Sequence, residues 1–315
     1  MSVHQYFSTT MNTEALPISV SDGLPPFPVP IQANGVAPSP GTYLVTVQWE
    51  EYSKGENRQS LLTKHVHISL DELGEKRRVF LRTSSPRLSR KEGVQPVEQL
   101  ALRVASLYEH VVVDLAPDGQ LQRLVNYPQV RQTWEELKPA LLFEAAAEDE
   151  LTRKLVTLVD EQVAHEDRVL YSLRHDYIYQ ALLQPLEAAG TFGLQASSAR
   201  EFPNFFPNAN LWFTVTKKQT VADERELVVS LQGTLDAGKT NVTIIHQHMR
   251  AALAAGDTAA TPTAELVETQ LHFGYEATYV TERASNLLRE LTLTVYARLA
   301  EHYNKQYTLT VNRLA

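Results

Sequence analysis

The sequence predicts an α+β fold dominated by antiparallel sheet, on three observations. Segments in both halves alternate apolar and polar residues with period two, as in Tyr43, Val45, Val47, Trp49 and again in Leu291, Leu293, Val295, Ala297, Leu299. Residues 128–190, between them, switch to helical spacing. Clean alternation also means one dry and one wet face, the habit of antiparallel sheets, whereas doubly buried parallel strands read as continuous apolar runs. The 315-residue chain accordingly divides into an extended arm (1–40), a β-rich region (41–127), a helical region (128–190) and a second β-rich region with an aromatic loop (191–315). The pattern leaves open whether the two β-rich regions make one sheet, a barrel-like closure or two lobes.

The arm holds seven of the sixteen prolines and two charged side chains, Glu14 and Asp22. Each proline ring fixes a backbone angle and removes a donor, so LPPFPVPIQANGVAPSPG favours extended polyproline turns over a core element. It reads as a linker or strap against a neighbouring chain. The strands TYLVTVQWE, KHVHISL and RRVFLRT follow, then a short helix, VEQLALRVASLY, opening after Pro96. HVVVDLAPDGQLQRLV reads as a hairpin turning at Pro117-Asp118-Gly119.

In the helical region, QVRQTWEELKPALLFEAAA carries a late proline. The stretch beyond it keeps Leu151, Leu155, Leu158, Val163, Leu170, Leu173, Tyr177 and Leu182 near helical spacing, as one long helix or two stacked ones. Phe192, Phe202, Phe205, Phe206, Trp212 and Phe213 then crowd a loop read as sealing the sheet against the helices. Long alternating strands close the chain.

Composition narrows the function classes. An apolar fraction of 43% and a charged fraction of 21% suit a globular protein, and no stretch approaches a membrane span of about 18 apolar residues. The first twenty residues have no Lys or Arg and do not read as a secretion signal, so cytoplasm is the expected compartment. The absence of cysteine removes disulfides and thiolate chemistry, and a net charge of -8 disfavours nucleic acid as a partner. The basic run from Lys76 to Lys91 reads as the solvated face of an edge strand and its loop.

GTLDAGKT, residues 233–240, matches G-x-x-x-x-G-K-[ST]. Under a nucleotide-hydrolase reading, Gly233 and Gly238 curve the loop, Lys239 faces phosphate, Thr240 holds magnesium, and ATP or GTP with Mg is the cofactor. The β-branched run Val242 to Ile245 favours a strand after the loop, which makes the stretch a hairpin turn instead. Two His-x-His pairs, His65/His67 and His246/His248, would each place two imidazoles on one side of a strand, without a third metal ligand in the spacing. Glu161 and His165, at i and i+4, and His175 beside Asp176 read as surface polar pairs. No G-x-S-x-G elbow is present.

The expectation is a non-catalytic structural or protein-interaction component, its partners other chains, itself among them, met through the arm or sheet edges. A nucleotide-binding NTPase and a carrier of a small apolar ligand are the alternatives.

Overall fold

The computed structural model describes residues 40–53, 55–73, 76–84, 86–90, 93–94, 96–116, 121–144, 150–183, 197–221, 225–254, 271–283, 287–300 and 302–314. The proline-rich arm up to residue 39, the 117–119 turn and Phe192 lie outside them. The strands are β1 (Gly41–Ser53), β2 (Glu56–Leu73), β3 (Lys76–Thr83), β4 (Arg87–Arg90), β5 (His110–Leu115), β6 (Leu121–Leu124), β7 (Ser197–Phe206), β8 (Ala209–Val221), β9 (Glu226–Leu235), β10 (Leu271–Glu282), β11 (Leu288–Leu299) and β12 (Tyr303–Leu314). The α-helices among the described residues are α1 (Pro96–Ala105), α2 (Tyr127–Glu144), α3 (Glu150–Val163), α4 (Glu166–Arg174), α5 (Tyr177–Leu183) and α6 (Val242–Ala254).

All twelve strands of the described residues belong to one antiparallel sheet, ordered β6-β5-β3-β2-β1-β12-β11-β10-β9-β8-β7, with β4 beside β2. The two β-rich regions meet where β1 pairs with β12, in register from Thr42 opposite Leu314 to Ser53 opposite Tyr303. Alternation dictates this: Tyr43, Val45 and Val47 on β1 and Tyr307, Leu309 and Val311 on β12 are all buried on one face.

The sheet is open, and the barrel-like alternative is corrected. Its two end strands, β6 and β7, are not neighbours in the ladder. Aromatic packing curls the β7 end over the middle of the sheet instead: Phe202 meets Tyr307 with ring centroids 5.1 Å apart, and Phe206 meets Tyr303 at 6.5 Å. Tyr177 of α5 lies flat on Phe202 at 3.8 Å and donates its hydroxyl to the Pro203 carbonyl. Most of the expected aromatic loop is thus strand, and Phe202, Phe205, Phe206 and Phe213 are buried.

The helical stretch expected as one or two helices contains three, α3, α4 and α5. His165 takes an extended conformation between the first two. Asp176 then starts a new helix, its Oδ1 accepting the amides of Ile178 at 2.8 Å and Tyr179 at 3.3 Å. Helices α1 to α3 build a satellite core around Trp134, Leu141, Leu155 and Val163. Trp134 Nε1 and Lys138 Nζ both donate to Asp160 there, each at 2.8 Å.

Strand β3, expected at an edge, runs between β2 and β5. Its basic residues are partly spoken for, since Arg78 grips Asp114 of β5 through two nitrogens at 2.7 and 3.2 Å. At the β6 edge, α4 caps the backbone: Glu166 accepts the Leu124 amide at 3.0 Å, and Arg174 donates to the Leu121 carbonyl at 2.6 Å. Side chains thus occupy groups that an added strand would need.

Candidate functional site

Residues 233–240 run from the end of β9 to the turn before α6, so a helix follows where the β-branched run predicts a strand. Asn241 caps that helix, accepting the Ile244 amide on its side chain at 3.2 Å. Ile245, Met249 and Leu253, four apart, are buried against the main core. Burial of this stripe outweighs the weak strand preference of Val, Thr and Ile.

Strand, loop and helix are the outline of a phosphate site, but the loop's donors are already used. Gly238 donates its amide to Asp236 Oδ1 at 3.1 Å, and the amides of Lys239 and Thr240 reach the Asp236 carbonyl at 3.2 and 3.0 Å. The Thr240 hydroxyl, on a residue 6% exposed, accepts the Trp212 amide at 3.0 Å. Lys239 Nζ lies over the Trp212 ring at 5.4 Å and 3.9 Å from Asp236 Oδ2. Gly233 is part of β9, opposite Val215 and Tyr275. A phosphate cradle needs those amides unspent and a hydroxyl open to magnesium.

His65 and His67 lie on the exposed face of β2, where His67 Nδ1 is hydrogen-bonded to Thr42 Oγ1 at 3.0 Å. His246 and His248 fall on α6, not on a strand, so their side chains diverge by about 200° and the two-imidazole geometry is lost. Glu161 and His165 do not share a helix, because α3 ends at Val163. His175 stacks on Tyr171 at 4.0 Å. Among the described residues, no group of three or more His, Cys, Asp or Glu is placed to hold a metal.

Two features emerge that the motifs did not indicate. The first is cationic: Lys64 and Lys305 are 6% and 9% exposed, on the buried face of the sheet. Lys64 Nζ lies over the Tyr179 ring at 5.6 Å, while Lys305 Nζ lies 5.6 and 5.4 Å from the ring centres of Phe205 and Phe206. Burial lowers both ammonium pKa values, and the carboxylates of Asp176 and Glu51 partly oppose that shift. Tyr303 donates its hydroxyl to Glu51 at 2.9 Å. Burial raises the phenols of Tyr108, Tyr177, Tyr179 and Tyr307, and the Asp176 charge adds to each. The signal was parity: Lys64 alternates in step with Leu62, Val66 and Ile68, and Lys305 with Tyr303, Tyr307 and Leu309.

The second feature lies on the opposite face. Thr63, Thr46, Thr310, Thr292, Thr278 and Ser230 are successive cross-strand neighbours from β2 to β9. The adjoining row runs Leu61, Gln48, Thr308, Thr294, Glu276, Gln232, Thr216. Hydroxyls and amides dominate; the charges are Glu276 and, where the first row reaches β8, Lys218.

No family model matches the chain, and a search of curated proteins finds no significant relative. No helix among the described residues is long and apolar enough to cross a membrane.

Proposed function

We propose that the protein is a non-catalytic interaction component that meets other chains through the outer face of its sheet. The observation that carries this reading is the pair of hydroxyl- and amide-rich rows, bearing two charged side chains, Glu276 and Lys218, across seven strands in a chain that is 21% charged. Solvated sheet faces ordinarily carry interspersed Lys and Glu. A neutral polar face gives up water at lower cost and offers donors and acceptors in register with the strands. The internally spent amides of Gly238, Lys239 and Thr240 weigh against the nucleotide alternative. The capped β6 edge moves the expected contact from strand edge to sheet face.

A photo-crosslinking amino acid at Thr310, in the middle of the first row, tests the reading in cells that make the protein. Irradiation is expected to give a discrete higher-mass adduct that the same group at exposed Glu135 on α2 does not give. An unmodified band at Thr310, or equal labelling at both positions, would sink the reading.

A further inference from the structure

The curled end of the sheet holds a guanidinium whose buried donor has no acceptor. Arg200 of β7 stands opposite Phe213 on the buried face, the parity of Phe202. Its Nε is buried and makes no hydrogen bond among the described residues. Arginine cannot shed its proton to escape this, so a buried N–H of this kind ordinarily marks where an acceptor belongs. The neighbouring carboxylate does not supply one, because Glu201 has the opposite parity and accepts from Asn210 at 2.7 Å.

What surrounds Arg200 has the chemistry of a binding site. Its charge acts on the phenols of Tyr275 and Tyr279, which burial otherwise raises, so the guanidinium lies near both. These tyrosines are 8% and 5% exposed and flank Ala277 on β10, which leaves a small side chain between two rings. Tyr275 packs on Phe213 at 5.6 Å over Gly233, where an added Cβ would fall 2.8 Å from that of Tyr275. Arg200 as a whole is only partly buried, so its side chain also reaches solvent.

The geometry points to a binding site for a small apolar acid, its carboxylate held by Arg200 and its body lying against Tyr275 and Tyr279. A planar carboxylate matches the guanidinium fork, a phenol hydroxyl adds a donor, and the rings take up an aliphatic or aromatic body. This site is on the opposite face from the proposed contact surface and does not depend on that reading.

Titration calorimetry of the full chain with octanoate and phenylacetate tests the assignment, with octanol and inorganic phosphate as controls. Both acids are expected to bind, octanol and phosphate not. Arg200→Gln should weaken the acids by about tenfold or more, and Tyr279→Phe by less. Should Arg200→Gln fail to fold, the wild type still decides the matter, since octanoate should shift the Arg200 Nε–H resonance in a nitrogen-15 spectrum. No heat with either acid, phosphate binding as tightly as octanoate, or an unmoved Nε–H signal at saturation would each overturn the site, leaving Arg200 to a bound water.

Discussion

Thr240 ties its loop to the sheet by accepting the Trp212 amide at 3.0 Å. This hydroxyl is the group that a nucleotide site would present to magnesium, and here it completes the hydrogen bonding of β8. Thr240→Val keeps the side-chain shape and removes the acceptor. A loss of about 1–3 kcal/mol in urea unfolding is expected, the cost of a backbone donor left without a partner. The wild type should give no binding heat with ATP or GTP plus magnesium, and Lys239→Ala should leave that unchanged.

Gly233 makes the same point from packing. A Cβ there would meet the Tyr275 Cβ at 2.8 Å and the Phe213 Cβ at 3.1 Å, atoms fixed close to their backbones. Gly233→Ala is therefore expected to destabilise by about 1–3 kcal/mol, as overpacking does. Thermal unfolding checks this, with Gly55→Ala as a contrast. That position has open space around it but a φ of +77°, so its cost is backbone strain alone.

Much of the sheet was legible because period two fixes both strand and face. Tyr43, Val45, Val47 and the alternating residues of β11 and β12 are buried as their parity demands, as are Tyr275, Ala277 and Tyr279 of β10, while Leu271 and Phe273 at its start are half-buried. The helix breaks were not legible, since apolar spacing runs on through Leu158, Val163 and Leu170 while the interruption is made by Asp176 and an extended His165. The helix at Val242 was misread because β-branched residues lean towards strand, and only the burial of Ile245, Met249 and Leu253 against the distant core reverses that. Lys64, Lys305 and Arg200 were missed as site residues for a related reason. Motif spacing does not register a charge on an apolar face, although parity would have.

Asp176 combines a cap and a charge, and two substitutions separate them. Asp176→Ala removes the acceptor for the Ile178 and Tyr179 amides, at a cost of about 0.5–2 kcal/mol. It also removes the carboxylate that favours the charged form of Lys64. Asp176→Asn keeps a capping oxygen and loses only the charge, so its stability should fall between wild type and Ala in urea unfolding. Equal losses for both variants would mean that the cap contributes nothing.

The buried lysines and tyrosines make opposite demands on pH. Lys64 and Lys305 have lowered pKa values in the folded protein, against about 10.4 when unfolded. Between the folded and unfolded values the unfolded chain holds protons that the native one has released, so stability rises with pH through that window. Tyr108, Tyr177, Tyr179, Tyr279, Tyr303 and Tyr307 have raised values, against about 10 when unfolded. Above that pH the unfolded chain loses phenol protons that the native one keeps, and stability falls. Urea midpoints should therefore climb towards about pH 10 and drop beyond it. Lys64→Met should flatten the climb without moving the drop. Phenolate absorbance should lag until circular dichroism reports unfolding, because these rings ionise only when the core opens. Tyrosines that all titrate near their free value in a folded chain would contradict the burial on which the inner-face site rests.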